Sequence, residues 1–177
     1  MKLEHGRSTG ERVSNPLGFL YHERMAGTIA PILGLALMAA IAPAGARSEM
    51  PHGQVTLPSG HVLVVEVADT PETRERGYMY RESITDKEGM VFFMEQLDFH
   101  PFWMKNCRIG LDILWLDEKW RVVHIEKNLP PCRQDPCPSY QPMQAALYVL
   151  EVQAGLSGRE GIKLGDHIIF NPATPRR

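Results

Sequence analysis

Cysteine is scarce in this chain, and its spacing narrows the available chemistry. There are three in 177 residues, Cys107, Cys132 and Cys137, with no Cys-x-x-Cys pair. That missing two-residue spacing excludes the redox-dithiol pattern. No second Cys/His pair completes a zinc ligand set, and His61, His100, His124 and His167 show neither metal-ligand spacing nor a partner motif. No metal and no cofactor are expected. A glycine-rich phosphate loop is absent, the glycines standing at turns. No serine has the neighbouring activator that a Ser-Lys hydrolase needs. Met79, Met90, Met94 and Met104 fall in or beside apolar strands, where core packing is a more usual role than binding Cu(I).

Positive charge is also sparse. Residues 47–177 carry 15 Lys and Arg against 18 Asp and Glu, a net of −3. With no Lys/Arg run, that balance leaves no electrostatic footprint for nucleic acid or for an anionic membrane.

Long apolar runs are missing. A spanning helix needs about 20 apolar residues. The most apolar stretch, Ile29 to Ala42, is shorter, contains Pro31 and is followed by Pro43. Arg24 precedes it and Ala44-Gly45-Ala46 closes it with the small-x-small pattern of a signal-peptidase site. The sequence therefore predicts a signal peptide and upstream extension over 1–46, and a periplasmic or secreted protein without a membrane span after cleavage. An uncleaved anchor is the alternative. Met25 is a second candidate start, although beginning there would remove Arg24. Cleavage after Ala46 leaves 131 of the 177 residues, enough for one domain with a real core.

What is present reads mostly as strand. His61 to Ala68 is β-branched and bounded by Pro58-Ser59-Gly60 and Asp69-Thr70-Pro71, and Gln54 to Leu57 can pair with it across that turn. Thr70 reads as a helix N-cap with Pro71 at the first position and Glu72 in the first turn. Gly77 ends that helix in the left-handed region. Gly89 to Met94, Phe102 to Cys107, Leu111 to Leu116, Trp120 to Glu126, Leu147 to Val152 and His167 to Phe170 read as further strands, and a second helical turn precedes Gly161. The tail after Phe170 is expected to fray. Seven or so short strands and two brief helices predict a mostly β fold, a compact antiparallel sheet curled into a barrel or sandwich over 47–177, with a core at about 54–170.

Cys132 and Cys137 flank four residues in a proline-dense loop, and in an exported chain they read as a local disulfide. Cys107 is then a semi-buried free thiol.

Phe102-Trp103-Met104-Lys105-Asn106, with Asp112 six residues on, places a cation, an amide and a carboxylate among large apolar side chains. A buried charge costs several kcal/mol unless it is paired. Strand alternation puts Trp103, Lys105 and Cys107 on one face, and Glu66, Asp112 and Glu151 also sit in largely apolar strands. One reading is a set of internal ion pairs that fix register, Lys105 with Asp112 among them. The other is a polar pocket lined by Arg76, Met79, Arg81, Trp103, Lys105, Asn106, Asp112 and Glu151.

Arg76-Gly77-Tyr78-Met79-Tyr80-Arg81, Gly89-Met90-Val91-Phe92, the Phe102 to Asn106 block, Leu111-Asp112-Ile113, Pro131-Cys132, Tyr148-Val149-Leu150-Glu151 and Gly165-Asp166 occur in that order. In these motifs the chain resembles the prokaryotic "domain of unknown function 192" family of small, often exported single-domain proteins, from about Val62 to Phe170. The resemblance implies a compact, mostly β domain and no particular reaction. Cys107 stands where the family commonly has Thr, which argues against a family-wide catalytic thiol, and Gly110 stands where it commonly has Pro, which loosens the turn between the two key strands.

The functional expectation is a small exported β domain that binds a small molecule or an envelope protein through the polar pocket. No catalytic residue is assigned. Two alternatives come from other classes: a hydrolase or lyase using Lys105 with Asp112 or Glu151, and a structural envelope or assembly factor.

Overall fold

The β-branched run after Gly60 can bury alternate side chains only within a sheet, and it forms the strand at the centre of the first ladder. The structure, a computed structural model, describes residues 50–173; the signal segment read over 1–46 lies outside them. Strand β1 (His52–Thr56) pairs antiparallel with β2 (Val62–Ala68), Val55 opposite Leu63. Helix α1 (Pro71–Arg76) follows, capped by Thr70, whose hydroxyl accepts from Thr73 N at 3.2 Å. Gly77 ends it at φ 43°, ψ −131°, a positive φ as read from the sequence but outside the left-handed helical region.

Strand β3 (Glu88–Asp98) lies beside β2 in parallel, Val67 opposite Val91. This corrects the all-antiparallel expectation. Parallel neighbours need a crossover of a dozen or more residues, and α1 with the loop behind it supplies that length. After β4 (Phe102–Trp103), strands β5 (Leu111–Leu116) and β6 (Val122–Leu129) form a hairpin. Strand β7 (Ser139–Tyr140) pairs with β4 in a separate two-stranded sheet. Strand β8 (Ala146–Gln153) enters between β3 and β5, and helix α2 (Leu156–Arg159) leads to β9 (Ile169–Pro172). The tail past Phe170 is thus paired, Pro172 lying opposite Gly53.

The large sheet has the order β6-β5-β8-β3-β2-β1-β9. It is an open mixed sheet, and no closed barrel is found among the described residues. An isolated bridge, Arg121 to His167, and the bond from Ile168 N to Trp120 O at 2.9 Å tie the two ends without forming a ladder.

Both faces are covered. Val55, Leu63, Val65, Val91, Leu114, Leu150 and Leu156 form one core. Tyr78, Met90, Phe92, Met104, Ile113, Trp115 and Val149 form the second. Strand β5 is buried at all six positions, as expected of a strand packed on both sides. Each fully buried Leu, Ile or Phe contributes about 1.5–3 kcal/mol. The second core carries the site.

Candidate functional site

The block from Phe102 to Asn106 was expected to run on as a strand, and it does not. Only Phe102 and Trp103 pair, and Lys105 makes one parallel bridge to Cys132 before the chain turns at Asn106, whose φ is 59°. Two bonds to one carbonyl hold the turn: Met104 O accepts from Cys107 N at 3.2 Å and from Cys132 N at 3.1 Å. Met104 is buried, 1% exposed, while Trp103 stands 49% exposed.

The turn meets the loop behind α1. Tyr80, at φ 64°, donates its backbone N–H to Asn106 O at 2.8 Å, and the Asn106 amide reaches Met79 Sδ at 3.7 Å. Tyr80, a bulky residue in the left-handed region, represents strain that the surrounding fold sustains, while Asn106 adopts that region more readily. They join the helix end to the Trp-Met-Lys-Asn block.

Between these segments and the sheet lies a cavity of about 320 Å³, lined by residues that include Arg76, Tyr78, Met79, Phe92, Phe102, Trp103, Lys105, Cys107 and Glu151. Its walls are mainly aromatic and apolar. The Phe92 and Phe102 rings meet edge to face at 5.0 Å between centroids.

Glu151 lies on the inner wall. Central strand β8 places it opposite Met90 on one side and Ile113 on the other. It is 4% exposed, and its Oε2 has no hydrogen-bond partner among the described residues. Burial, opposed only in part by the charge of Arg81, pushes its carboxyl up to about 8. At neutral pH this group is therefore largely protonated. Burial, with a smaller contribution from Glu151, pushes the Cys107 thiol up to about 12, so the free cysteine is a poor thiolate source. Burial likewise raises the Tyr78 phenol above its ordinary value. Gly77 matters here: a Cβ on it would stand 3.3 Å from the Phe92 ring and 3.7 Å from Glu151 Oε2.

Of the eight pocket residues read from the sequence, the fold brings five to this cavity: Arg76, Met79, Trp103, Lys105 and Glu151. Asn106 stands beside it, bonded to Met79. Arg81 turns away to a two-pronged ion pair with Glu66, Nη2 to Oε2 at 2.6 Å. The Arg81 hydrogen bond holds the Glu66 carboxyl below the usual carboxylate range. The expectation of internal ion pairs thus holds for Glu66, whereas Glu151 has no such partner.

Asp112 is corrected more sharply. It is 0% exposed and lies outside the cavity lining. Oδ1 accepts from Asn128 N at 2.7 Å and Gly155 N at 2.8 Å, while Oδ2 accepts from Ser157 N at 2.9 Å and Ser157 Oγ at 2.6 Å. Lys105 pairs instead with Asp135, at 3.2 Å. The sheet separates the two: Asp112 points into the face that carries α2, Lys105 stands at the rim of the other.

Asp135 sits in the loop closed by the Cys132–Cys137 disulfide, whose Cα atoms are 5.7 Å apart. Sequence reasoning missed Asp135 as the lysine's partner, and missed Tyr78, Phe92 and Phe102 as walls. Apolar residues in strands carry no mark that separates a cavity wall from a core.

Fold and site define a class: a small, mostly β domain with an apolar-walled cavity holding a buried acid. Residues 54–170 match the DUF192 family, described as "Uncharacterized ACR, COG1430", and the chain belongs to that family. It is similar to a crystal structure from Sinorhizobium meliloti 1021, described as a candidate transcription regulator, at 30% identity and TM-score 0.64, over 71% of this chain and 98% of that one. It is also similar to a protein of unknown function from Novosphingobium aromaticivorans DSM 12444, at 35% identity and TM-score 0.62, over 73% of this chain and 94% of that one. No curated protein matches.

Proposed function

We propose that the domain is an exported binding module that takes a small ligand into the cavity between the α1 loop, β4 and β8. The observation that carries this reading is the Glu151 carboxyl, buried on the cavity wall with Oε2 unpartnered. An orphaned polar atom inside a protein costs about 1–3 kcal/mol, and a ligand that bonds to the carboxyl would offset it. The positive-φ Tyr80, bonded to Asn106 O beside the cavity, supports the reading. Export is proposed from the apolar run, the Ala-Gly-Ala site and the disulfide.

A hydrolase or lyase built on Lys105 with Asp112 or Glu151 has less support: the sheet divides Lys105 from Asp112, and among the described residues Lys105 pairs with Asp135 and makes no bond to Glu151. The Sinorhizobium relative's description raises direct DNA contact, but a net charge of −3 over residues 47–177 and the lack of any Lys/Arg run do not favour binding to a DNA backbone.

The test is native mass spectrometry and thermal shift on the domain purified from its own host, wild type against Arg76→Gln and Lys105→Ala. The expected result is a copurifying mass that the variants retain less well while staying folded. A wild-type protein that carries nothing, and that no member of a metabolite panel stabilises, would sink the reading.

A further inference from the structure

The ligand class can be narrowed from the way the charges around the cavity are already committed. Three cations line it, and they are not equivalent. Arg74 is spent within the fold: Nη1 donates to Asp69 O at 2.9 Å and to Phe93 O at 3.0 Å, and Nη2 donates to Glu95 at 2.5 Å. Lys105 is shared with Asp135, an exposed partner at 3.2 Å that a competing anion can displace. Arg76 makes no side-chain hydrogen bond or ion pair among the described residues, yet it lines the cavity. One exposed carboxylate, Glu75, also stands there.

Aromatic walls and a buried acid would ordinarily invite a cationic ligand. Here the cation–π position is filled from within, since Lys105 Nζ lies 5.6 Å from the centroid of the Trp103 ring. Burial also keeps the Glu151 carboxyl in its neutral form near pH 7, so it offers a hydrogen-bond donor rather than a counter-ion.

Resting on the binding-module reading, the geometry points to a small organic anion with an apolar body and a hydrogen-bonding oxygen, its charged end on Arg76 and Lys105 and its oxygen on the Glu151 carboxyl. About 320 Å³ is at the lower end for small-molecule sites and suits a single ring or a short chain. A bidentate guanidinium favours a carboxylate or a phosphate as the charged end.

Isothermal titration of the domain with four single-ring probes tests this: 4-hydroxybenzoate, 4-methylbenzoate, 4-hydroxybenzyl alcohol and benzylamine. The hydroxybenzoate is expected to bind about tenfold more tightly than the neutral alcohol. Benzylamine is expected not to bind. The methyl analogue, which has no oxygen to offer Glu151, is expected to bind several-fold more weakly than the hydroxybenzoate. Arg76 is exposed on α1, so Arg76→Gln folds, and it should remove the preference for the anion while leaving affinity for the alcohol.

Tighter binding of benzylamine, lost in Glu151→Gln, would overturn the anionic class and leave the pocket reading standing. An anion preference that survives Arg76→Gln would also overturn it, because another surface would then hold the charge. No binding of any probe overturns the class for ring-sized ligands, and the copurified-mass experiment then judges the pocket separately.

Discussion

Asp112 on β5 caps helix α2 from across the fold: its Oδ2 accepts both the backbone N–H and the hydroxyl of Ser157, at 2.9 and 2.6 Å. Gly155 at the N-cap has no side chain to do this. A fully buried carboxylate taking four hydrogen bonds is therefore what docks the α2 turn onto the sheet. Asp112→Asn presents an NH₂ where two donors already point. The expected outcome is destabilisation of about 2–4 kcal/mol in urea unfolding, with a lower Tm.

Lys105→Ala should behave in the opposite way. Its bridge to Asp135 is exposed, and such pairs contribute about 0–1 kcal/mol. Equal destabilisation by the two variants would show that Lys105 is part of the core, contrary to its position at the rim.

Glu151 should make stability fall as pH rises. Its carboxyl titrates near 4.5 unfolded and at about 8 folded, so between those values the native state holds the extra proton. Stability is then lost progressively from about pH 4.5 to 8, by a few kcal/mol in total. Glu66 acts in the other direction, because Arg81 lowers its folded pKa and that stabilisation disappears only as pH falls below the ordinary carboxylate range. Maximum stability is expected on the acid side of neutrality, and Glu151→Gln should flatten the alkaline slope in denaturant titrations across pH.

Gly77→Ala should cost about 1 kcal/mol or more, since φ 43° with ψ −131° is strained for any residue with a Cβ. The added methyl would also press on Phe92 at the cavity wall. Reduced ligand retention together with the lower Tm is the expected pair of observations.

Thiol titration of unreduced, denatured protein should find one free cysteine, Cys107. Removing the bridge with Cys132→Ser should destabilise by about 2 kcal/mol, the closure entropy of so short a loop. Detection of three thiols would remove the pairing and weaken the case for export.

Much of this protein was legible in the sequence because the signals are local. A β-branched run set β2, a bulky apolar run set β5, Thr70-Pro71 set the start of α1, and the spacing of Cys132 and Cys137 set the disulfide. The motifs from Arg76 to Gly165 sufficed for the family. Five of the eight expected pocket residues do reach the cavity, since they flank two segments whose polar side chains had no local use. What the sequence left open was pairing across distance. Whether β3 lies parallel or antiparallel to β2, which oxygen Ser157 seeks, and whether Lys105 finds Asp112 or Asp135 depend on where segments apart in the chain are brought together. One strand face decides that Asp112 is satisfied four times over, and the opposite face decides that Glu151 Oε2 is left without a partner among the described residues. Both are carboxylates in apolar strands, indistinguishable by pattern, and only the packing of α2 on one side and an open cavity on the other separates a structural anchor from a site.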